Sequence, residues 1–291
     1  MAYLSQFIYP SAEREEQFLH GIRETCYTSV YPFQILSEHG VRVLNFDEDI
    51  VVLYGGNGSG KTTALNVIAE AMHLKRDALY NKSSFFEDYV GMCDQVLMRE
   101  LPSHSRIITS DDVFDFMLNI RGINAGIDAR RDDLFQEYYQ NKESRFQLRS
   151  IEDYEQLREV NAARRLTKSK YVKGRLNANV REHSNGETAF LYFTENIREN
   201  GLYLLDEPEN SLSPQRQMEL AEHIAQYARF FGCQFVIATH SPFLLAMRNA
   251  KIYNLDEEKM RVSKWTELGN VRAYYEFFRE HEGEFAEEGE E

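Results

Sequence analysis

The chain has 291 residues, of which 43% are hydrophobic, and a net charge of -14. This length supports one large α/β domain or a core domain with a sizeable insertion, and the acidic balance argues against a surface broadly attracted to nucleic acid or anionic lipid. No apolar run approaches the roughly 20 residues of a membrane span, and the first residues lack the layout of a secretory signal. We therefore expect a cytoplasmic protein without membrane insertion.

The three cysteines, Cys26, Cys93 and Cys233, lie far apart in the sequence. They show no paired spacing such as C-x-x-C, so neither a zinc site nor a disulfide framework is indicated. Because free cysteine is among the most buried residue types, we predict buried free thiols at these positions.

Short apolar segments predict four strands, at residues 50–54, 106–109, 202–205 and 233–238. Runs of this length are typical of parallel strands buried on both faces. An amphipathic helical pattern follows the first. Ser213 and Pro214 predict the start of a second helix that ends near Gly232, and its predicted apolar face consists of Met218, Ala221, Ile224, Ala225, Ala228 and Phe231. Strand, turn and helix in this order predict an α/β fold with a mostly parallel sheet flanked by helices.

We interpret residues 1–291 as a single domain that carries an inserted helical lobe at residues 77–183, because that stretch is polar, charged and mostly helical in pattern. Residues 281–291 carry six glutamates and predict a short, disordered acidic tail. Residues 158–181 have the opposite character, with eight positive charges against Glu159 alone. Such a run is either a solvated helical face or a surface for an acidic partner.

The segment Gly55-Gly56-Asn57-Gly58-Ser59-Gly60-Lys61-Thr62, followed by Thr63, fits the phosphate-loop pattern G-x-x-x-x-G-K-[ST]. It lies after a predicted buried strand and before a helix, as its chemistry requires. Backbone N–H groups and the helix N-terminus bind phosphate oxygens, Lys61 reaches the β- and γ-phosphates, and the Thr62 hydroxyl ligates Mg²⁺. The alternative, a flexible glycine-rich turn with an exposed lysine, does not explain this context.

Asp206 and Glu207 end the third predicted strand, and His240 follows the fourth. The carboxyl ends of parallel strands form the edge of a sheet where ligands bind in open α/β folds. Asp206 is suited to the Mg²⁺ shell, and Glu207 to taking a proton from the attacking water. Alone, an Asp-Glu-Pro turn is usually a solvated loop, and a lone histidine is usually structural. The convergence of three strand ends favours the functional interpretation.

On these motifs the chain resembles the ATP-binding-cassette ATPases, specifically their soluble branch with the RecF, SMC and OLD-like proteins, often catalogued as AAA-type P-loop ATPases. The resemblance covers residues 41–72 and 183–255. It implies ATP and Mg²⁺ as cofactors and an ATP-dependent homodimer. Ser184-Asn185-Gly186-Glu187 resembles the family's signature loop, so Ser184 and Gly186 would contact the γ-phosphate across the dimer. Thr239-His240-Ser241-Pro242 resembles the branch's switch-histidine segment.

Three positions depart from the family or stay open. Asn185 replaces a glycine that is usual in the signature loop. No glutamine can be assigned to the family's Mg²⁺-contacting loop, because Ser110, Asp111 and Asp112 follow the second predicted strand and Gln95 lies earlier. Tyr31 or Phe33 could face the adenine, although core packing is the commoner role of such aromatic residues.

The motifs indicate an ATPase without naming what it acts on. One hypothesis is a nucleotide-dependent clamp on DNA, RNA or a nucleic-acid-bound partner in repair or mobile-element defence, supported by the basic run of residues 158–181. The alternative is a regulatory ATPase subunit that controls a separate effector protein, because too few residues follow His240 to form a nuclease domain. A transporter motor subunit is less favoured, because the motifs resemble the soluble branch.

Overall fold

The computed structural model describes residues 2–23, 26–146, 153–179, 184–257 and 259–286. Its strands are β1 Leu4–Ile8, β2 Val43–Asn45, β3 Ile50–Tyr54, β4 Asp94–Leu97, β5 Arg106–Thr109, β6 Leu202–Asp206, β7 Gln234–Ala238, β8 Ala250–Asn254 and β9 Arg261–Val262. Its helices are α1 Ala12–Gly21, α2 Ile35–Glu38, α3 Lys61–Ala71, α4 Phe86–Val90, α5 Ser110–Glu143, α6 Tyr154–Arg165, α7 Lys168–Lys173, α8 Asn185–Asn196, α9 Pro214–Phe230, α10 Pro242–Leu245, α11 Gly269–Glu280 and α12 Glu282–Ala286.

The main sheet has six strands in the order β5-β6-β7-β3-β8-β9. All neighbours pair in parallel except β8 and β9, so the predicted mostly parallel sheet is confirmed. Every residue of β3, β6 and β7 is buried, as expected for apolar strands covered on both faces. The four strands predicted from the sequence are all present, and the bounds of β6 and β7 differ from the prediction by one residue each.

Strand register brings the carboxyl ends of the central strands to one level. Thr109 of β5 pairs with Asp206 of β6, and Asp206 pairs with Ala238 of β7. Ala238 pairs in turn with Leu53 of β3, one residue before that strand ends. The segments that follow these strands therefore emerge side by side at one edge of the sheet.

A second sheet, antiparallel and three-stranded in the order β2-β1-β4, was not predicted. One buried side chain joins it to the main sheet. The Gln234 amide oxygen accepts from the backbone N–H groups of Tyr3 and Leu4 at 2.8 and 2.9 Å, and its amide nitrogen donates to the Leu4 carbonyl at 2.8 Å. Because Gln234 has no exposed surface, these three bonds satisfy a polar group that water cannot reach.

Helix α9 begins as the sequence predicts. Ser213 is its N-cap and accepts from the backbone N–H of Arg216, and Pro214 occupies the first turn. The middle of the predicted apolar face is confirmed, because Ala221, Ile224 and Ala228 are buried, whereas Met218 and Phe231 at its ends are 40% and 37% exposed. Leu220, which the predicted face did not include, is also buried.

The chain forms two compact units, one of residues 1–114 with 185–291 and one of residues 115–184. The helical lobe predicted from residue 77 starts later in the structure, because residues 77–114 belong to the first unit. They do so because β5 pairs with β6 and because the buried Asp112 carboxylate accepts from the Ala78 backbone N–H at 2.6 Å. The other predicted boundary, His183, lies outside the described residues.

The helical unit has a small core of its own. Leu134, Tyr138, Ala163, Tyr171 and Val172 are buried together there, and the rings of Tyr138 and Tyr171 meet edge to face at 5.4 Å. The hydroxyl of Tyr171 donates to Glu159 at 2.9 Å. Residues 115–184 thus bury apolar side chains by packing α6 and α7 against α5.

The cysteines, the acidic C-terminal segment and the absence of a predicted membrane span can be compared with the structure. Cys233 is buried and Cys93 is partly buried, but Cys26 is exposed, so the prediction of a buried thiol is wrong for Cys26. Part of the predicted acidic tail is helical, as α12, and residues 287–291 lie outside the described part of the chain. Among the described residues, no helix combines the length and the hydropathy needed to cross a membrane.

Candidate functional site

The phosphate loop joins β3 to α3, and its conformation depends on glycine. Gly58 and Gly60 have φ angles of +88° and +87°, in the left-handed region that side chains rarely adopt. A Cβ atom on Gly60 would also approach Leu36 to 3.0 Å. Any larger residue at position 60 would therefore strain the backbone immediately before α3.

Lys61, the first residue of α3, lies in this loop with only 5% of its surface exposed. Its Nζ donates to the carbonyls of Gly55 and Gly56 at 2.7 and 2.9 Å. The neighbouring Ser59 Oγ is buried and has no hydrogen-bond partner among the described residues. A buried ammonium and an unpaired buried hydroxyl inside a glycine-rich loop fit the binding of phosphate oxygens.

Thr62 and Asp206 are 144 residues apart in the chain, and their side chains meet. The Thr62 hydroxyl donates to Asp206 Oδ1 at 3.1 Å. Burial raises the pKa of Asp206 to about 7; the neighbouring Glu207 and Glu209 act in the same direction, whereas the Thr62 hydrogen bond and Lys61 oppose it. A hydroxyl and a carboxylate oxygen side by side, with excess negative charge and little solvent, are the donor set that Mg²⁺ prefers.

Glu207, next to Asp206, has a strained backbone with φ +46°. The conformation is held by a hydrogen bond from its backbone N–H to the Ala238 carbonyl at 2.8 Å. The Asn210 side chain donates to Glu207 Oε2 at 3.1 Å. Glu207 lines the same cleft as Asn57 to Thr63 of the phosphate loop. A non-glycine residue in this region costs about 1–3 kcal/mol, and such strain is often found at functional sites.

His240 follows β7, the strand between β6 and β3. Its backbone N–H donates to Glu209 Oε1 at 2.9 Å, and its Nδ1 lies 3.3 Å from the same oxygen. Its carbonyl accepts from the Asn270 side chain at 2.6 Å. The imidazole side chain is 48% exposed, and it is not among the described residues that line the clefts around the phosphate loop.

The predicted signature loop lies at the start of α8. Ser184 is exposed, Asn185 is the first residue of the helix, and Gly186 packs against the segment after β6, where a Cβ atom would approach the Ser211 carbonyl to 3.3 Å. Neither Ser184 nor Gly186 is among the described residues that line the clefts of their own phosphate loop. The structure of one chain thus does not bring these two residues to the site with Lys61 and Asp206.

A second cleft beside Thr62 and Asp206 contains residues that the sequence analysis left unassigned. Thr109, Ser110 and Asp111 line it, together with Asn66 of α3. The pairing of Thr109 with Asp206 explains their position, because they follow the strand next to β6. The predicted strand at residues 106–109 was the available signal, but its neighbour in the sheet could not be read from the sequence.

The remaining residues whose roles the sequence did not assign lie partly in the core and partly in the cleft. Phe33 is 2% exposed and packs on Phe18 and Tyr89, so its core role is confirmed. Tyr31 lines the cleft that contains Thr62, and its hydroxyl donates to Thr63 Oγ1 at 3.3 Å. Asp112 is buried as a hydrogen-bond acceptor for Thr109 and Ala78, and Gln95 lies in β4 of the antiparallel sheet.

Comparison with known proteins identifies one family. The sequence profile described as "AAA domain, putative AbiEii toxin, Type IV TA system" matches residues 94–246. No curated protein matches the chain.

Solved structures with similar folds are ATP-binding cassettes. The chain is similar to the ATP-binding cassette MJ0796 in a dimeric post-hydrolysis state bound to ADP and Pi, with 16% identity, a TM-score of 0.38, and coverage of 78% of this chain and 90% of that chain. A nucleotide-free cassette from an ABC transporter has 16% identity and a TM-score of 0.39, covering 79% and 87% of the two chains. A putative metal-chelate type ABC transporter in an inward-facing conformation has 12% identity and a TM-score of 0.39, covering 79% of each chain. Likenesses this distant carry no residue assignments.

The family match covers more than half of the 291 residues and extends from β4 to the end of α10. The phosphate loop precedes the matched range and is joined to it by the parallel pairing of β3 with β7. The chain belongs to the family described as "AAA domain, putative AbiEii toxin, Type IV TA system", and it has an α/β fold with a mostly parallel main sheet.

Proposed function

We propose that the protein binds MgATP at the strand-end site and hydrolyses it with Glu207 as general base. The observation that carries the proposal is the meeting of Thr62 Oγ1 and Asp206 Oδ1 at 3.1 Å beside the buried Lys61. Burial leaves Asp206 with a pKa raised to about 7, and a divalent cation between these oxygens would compensate its charge.

Each residue then has a distinct task. The backbone N–H groups of residues 55–63 bind the phosphates, and the Lys61 ammonium turns from the loop carbonyls to the β- and γ-phosphates. Mg²⁺, when bound by Thr62 and Asp206, neutralises charge on the phosphate oxygens. Glu207 orients the attacking water and takes its proton, and His240 donates a hydrogen bond to the terminal phosphate. Asp111 and Ser110 supply further oxygens next to the metal ligands.

We also propose that the active form is an ATP-dependent homodimer. Ser184 and Gly186 do not line the clefts of their own phosphate loop; Ser184 precedes α8, Gly186 lies in its first turn, and the positive end of a helix dipole favours an anion there. In a dimer they would complete the site of the second copy by contacting its γ-phosphate. Nucleotide binding and hydrolysis would then close and open the dimer.

Measuring phosphate release from ATP, with Mg²⁺ and with EDTA, tests this function. Glu207→Gln should bind ATP with unchanged affinity, lose at least about 100-fold in turnover, and form a dimer with ATP that light scattering detects. Glu222→Gln, an exposed position on α9, is the matched control and should turn over like the parent. A Glu207→Gln variant that retains more than about a tenth of parent activity would reject Glu207 as the base.

We propose that the ATPase acts as a nucleotide-dependent clamp on DNA, RNA or a nucleic-acid-bound partner. The support is the exposure of Arg158, Arg165, Lys170 and Lys173 in the helical unit, none of which forms an ion pair with a described residue. Part of the basic run has other roles, because Arg175 pairs with Glu159 at 2.7 Å and Lys168 lies 4.1 Å from the centroid of the Phe135 ring. Arg181 lies outside the described residues.

A regulatory subunit that controls a separate effector protein is the second candidate. The aromatic face of α11 favours it, because Tyr274, Tyr275, Phe277 and Phe278 are each 50–55% exposed. Exposed apolar patches of this kind mark contact surfaces. A stoichiometric protein partner that remains bound through purification, combined with no response to nucleic acid, would favour this candidate over the first.

A further inference from the structure

Glu209 lies in the loop after β6, two residues beyond the proposed base. It contacts His240, which follows β7, rather than the phosphate loop. Its side chain is 6% exposed. Oε1 accepts from the His240 backbone N–H at 2.9 Å and lies 3.3 Å from the His240 ring nitrogen Nδ1. One carboxylate oxygen therefore contacts both the main chain and the side chain of His240.

A carboxylate is an expensive group at this position. Oε2 of Glu209 is also buried, and it has no hydrogen-bond partner among the described residues. Burying an anion with one oxygen unpaired costs more than burying an amide or a hydroxyl, either of which would accept the same backbone N–H. Accepting the His240 backbone N–H therefore does not by itself explain a glutamate at position 209. The contact of its carboxylate with the His240 ring explains it.

The contact with the ring determines which nitrogen is available to a ligand. Nδ1 lies 3.3 Å from a carboxylate oxygen, which can only accept hydrogen bonds, so this proximity favours a hydrogen on Nδ1 and leaves Nε2 for a ligand. The main chain of His240 is held at both ends, by Glu209 at its N–H and by Asn270 at its carbonyl. Because the imidazole is 48% exposed, packing alone does not fix its orientation.

We infer that Glu209 is the positioning residue for His240: it orients the ring with Nδ1–H toward its own carboxylate and Nε2 toward the terminal phosphate. When nucleotide is bound, the ring takes up a second proton from solvent on Nε2, and this Nε2–H is donated to the phosphate. This inference rests on the proposed function, because it gives Glu209 a role only through a histidine that contacts the nucleotide. Glu209 itself contacts neither the nucleotide nor the metal ion in this account.

The test compares four variants in steady-state ATP hydrolysis: His240→Ala, Glu209→Met, Glu209→Gln, and the double change of Glu209→Met with His240→Ala. Methionine keeps the volume of the side chain and removes the acceptor, whereas glutamine keeps an acceptor oxygen. Glu209→Met should lower kcat about 10- to 100-fold with KM within about twofold, and glutamine should restore kcat to within about fivefold of the parent. Adding Glu209→Met to His240→Ala should change kcat by less than about twofold, because a residue that acts through His240 has no effect without it.

A second readout does not depend on activity. In ¹⁵N-labelled protein without nucleotide, the His240 ring signals, identified by their absence in His240→Ala, should report the Nδ1–H tautomer in the parent. They should report a different tautomer or a mixture in Glu209→Met. If Glu209→Met does not fold, Glu209→Asp replaces it, because aspartate keeps the charge and withdraws the oxygen from the ring.

The outcomes separate this inference from the proposed function. If His240→Ala leaves kcat unchanged, the role proposed for His240 fails. If His240→Ala lowers kcat but Glu209→Met does not, or lowers it equally with and without His240, the positioning role of Glu209 is overturned while the ATPase proposal stands. A parent spectrum with the Nε2–H tautomer would also overturn it.

Discussion

The strand-end site buries its charged side chains, whereas the helical unit of residues 115–184 exposes ion-paired side chains to solvent. At the strand ends, Lys61, Asp206 and Glu209 are nearly inaccessible to solvent, and the pKa of Asp206 is raised to about 7 by burial. In the helical unit, ion pairs such as Arg130 with Glu137 at 2.8 Å are formed between exposed side chains. Buried, incompletely compensated charge destabilises a fold unless a ligand binds it, whereas exposed charge costs little. The first pattern therefore indicates a binding site more strongly than the second.

Removing the buried ammonium gives the largest effect that we expect from this comparison. Lys61→Ala should weaken ATP binding about 10- to 100-fold, since a hydrogen bond to a charged group contributes about 1.5–3 kcal/mol. Isothermal titration calorimetry with ATP measures it. Lys75→Ala, at an exposed lysine of the same unit, should bind like the parent. Equal affinities for all three proteins would show that Lys61 does not contact the nucleotide.

Neutralising the buried carboxylate should stabilise the nucleotide-free protein. Because the folded-state pKa of Asp206 is raised from 3.8 to about 7, ionisation costs stability progressively as pH rises from about 4 to 7, and the cost is constant above that range. Asp206→Asn should therefore unfold at a higher temperature than the parent, with an advantage that grows by about 2 kcal/mol between pH 5 and 8. Thermal unfolding without Mg²⁺ measures it.

The helical unit provides the control for that experiment. Hydrogen bonds from Asn179 and Arg131 lower the pKa of Asp128, which is exposed. The stability of Asp128→Asn relative to the parent should therefore be the same at pH 8 as at pH 5. If Asp206→Asn and Asp128→Asn respond to pH alike, burial at the strand ends is not the source of the effect.

Reversing exposed charge in the helical unit should give the smallest effect. Lys170→Glu with Lys173→Glu should weaken binding of a short DNA or RNA duplex about tenfold at low salt, and the slope of log affinity against log salt should fall. The parent and Arg130→Glu, a charge outside the basic run, are the comparisons in a fluorescence anisotropy assay. If the parent neither binds nucleic acid nor responds to it in turnover, the nucleic-acid proposal fails.

The same contrast explains what the sequence could predict. The segments 50–54 and 202–205 form short, continuous apolar runs, which are typical of strands buried on both faces, and Ser213-Pro214 begins a helix by local chemistry. The antiparallel sheet escaped prediction because β4 is exposed at every residue and β2 has three residues, so neither shows a period of two. The start of the helical unit was missed because the contacts that assign residues 77–114 to the first unit are long-range.

For the site, motifs identified the residues but not all of their neighbours. Lys61 and Asp206 follow from the phosphate loop and the strand end, whereas Glu209 and Asn270 contact His240 only because the chain folds back on itself. A glutamate in a polar loop and an asparagine at the start of a helix carry no local signal of such contacts. Asp111 was visible at the end of a predicted strand, but its place beside Asp206 depends on strand order.

The central claim is that Thr62 and Asp206 bind the metal ion of a bound nucleotide. A crystal structure of Glu207→Gln with ATP and Mn²⁺, with the ion located by its anomalous signal, tests it most directly. We predict one Mn²⁺ per phosphate loop, in contact with Thr62 Oγ1 and with the Asp206 carboxylate, and ATP phosphates on residues 55–63. Mn²⁺ bound away from both side chains, or ATP bound outside the phosphate loop, would contradict the claim.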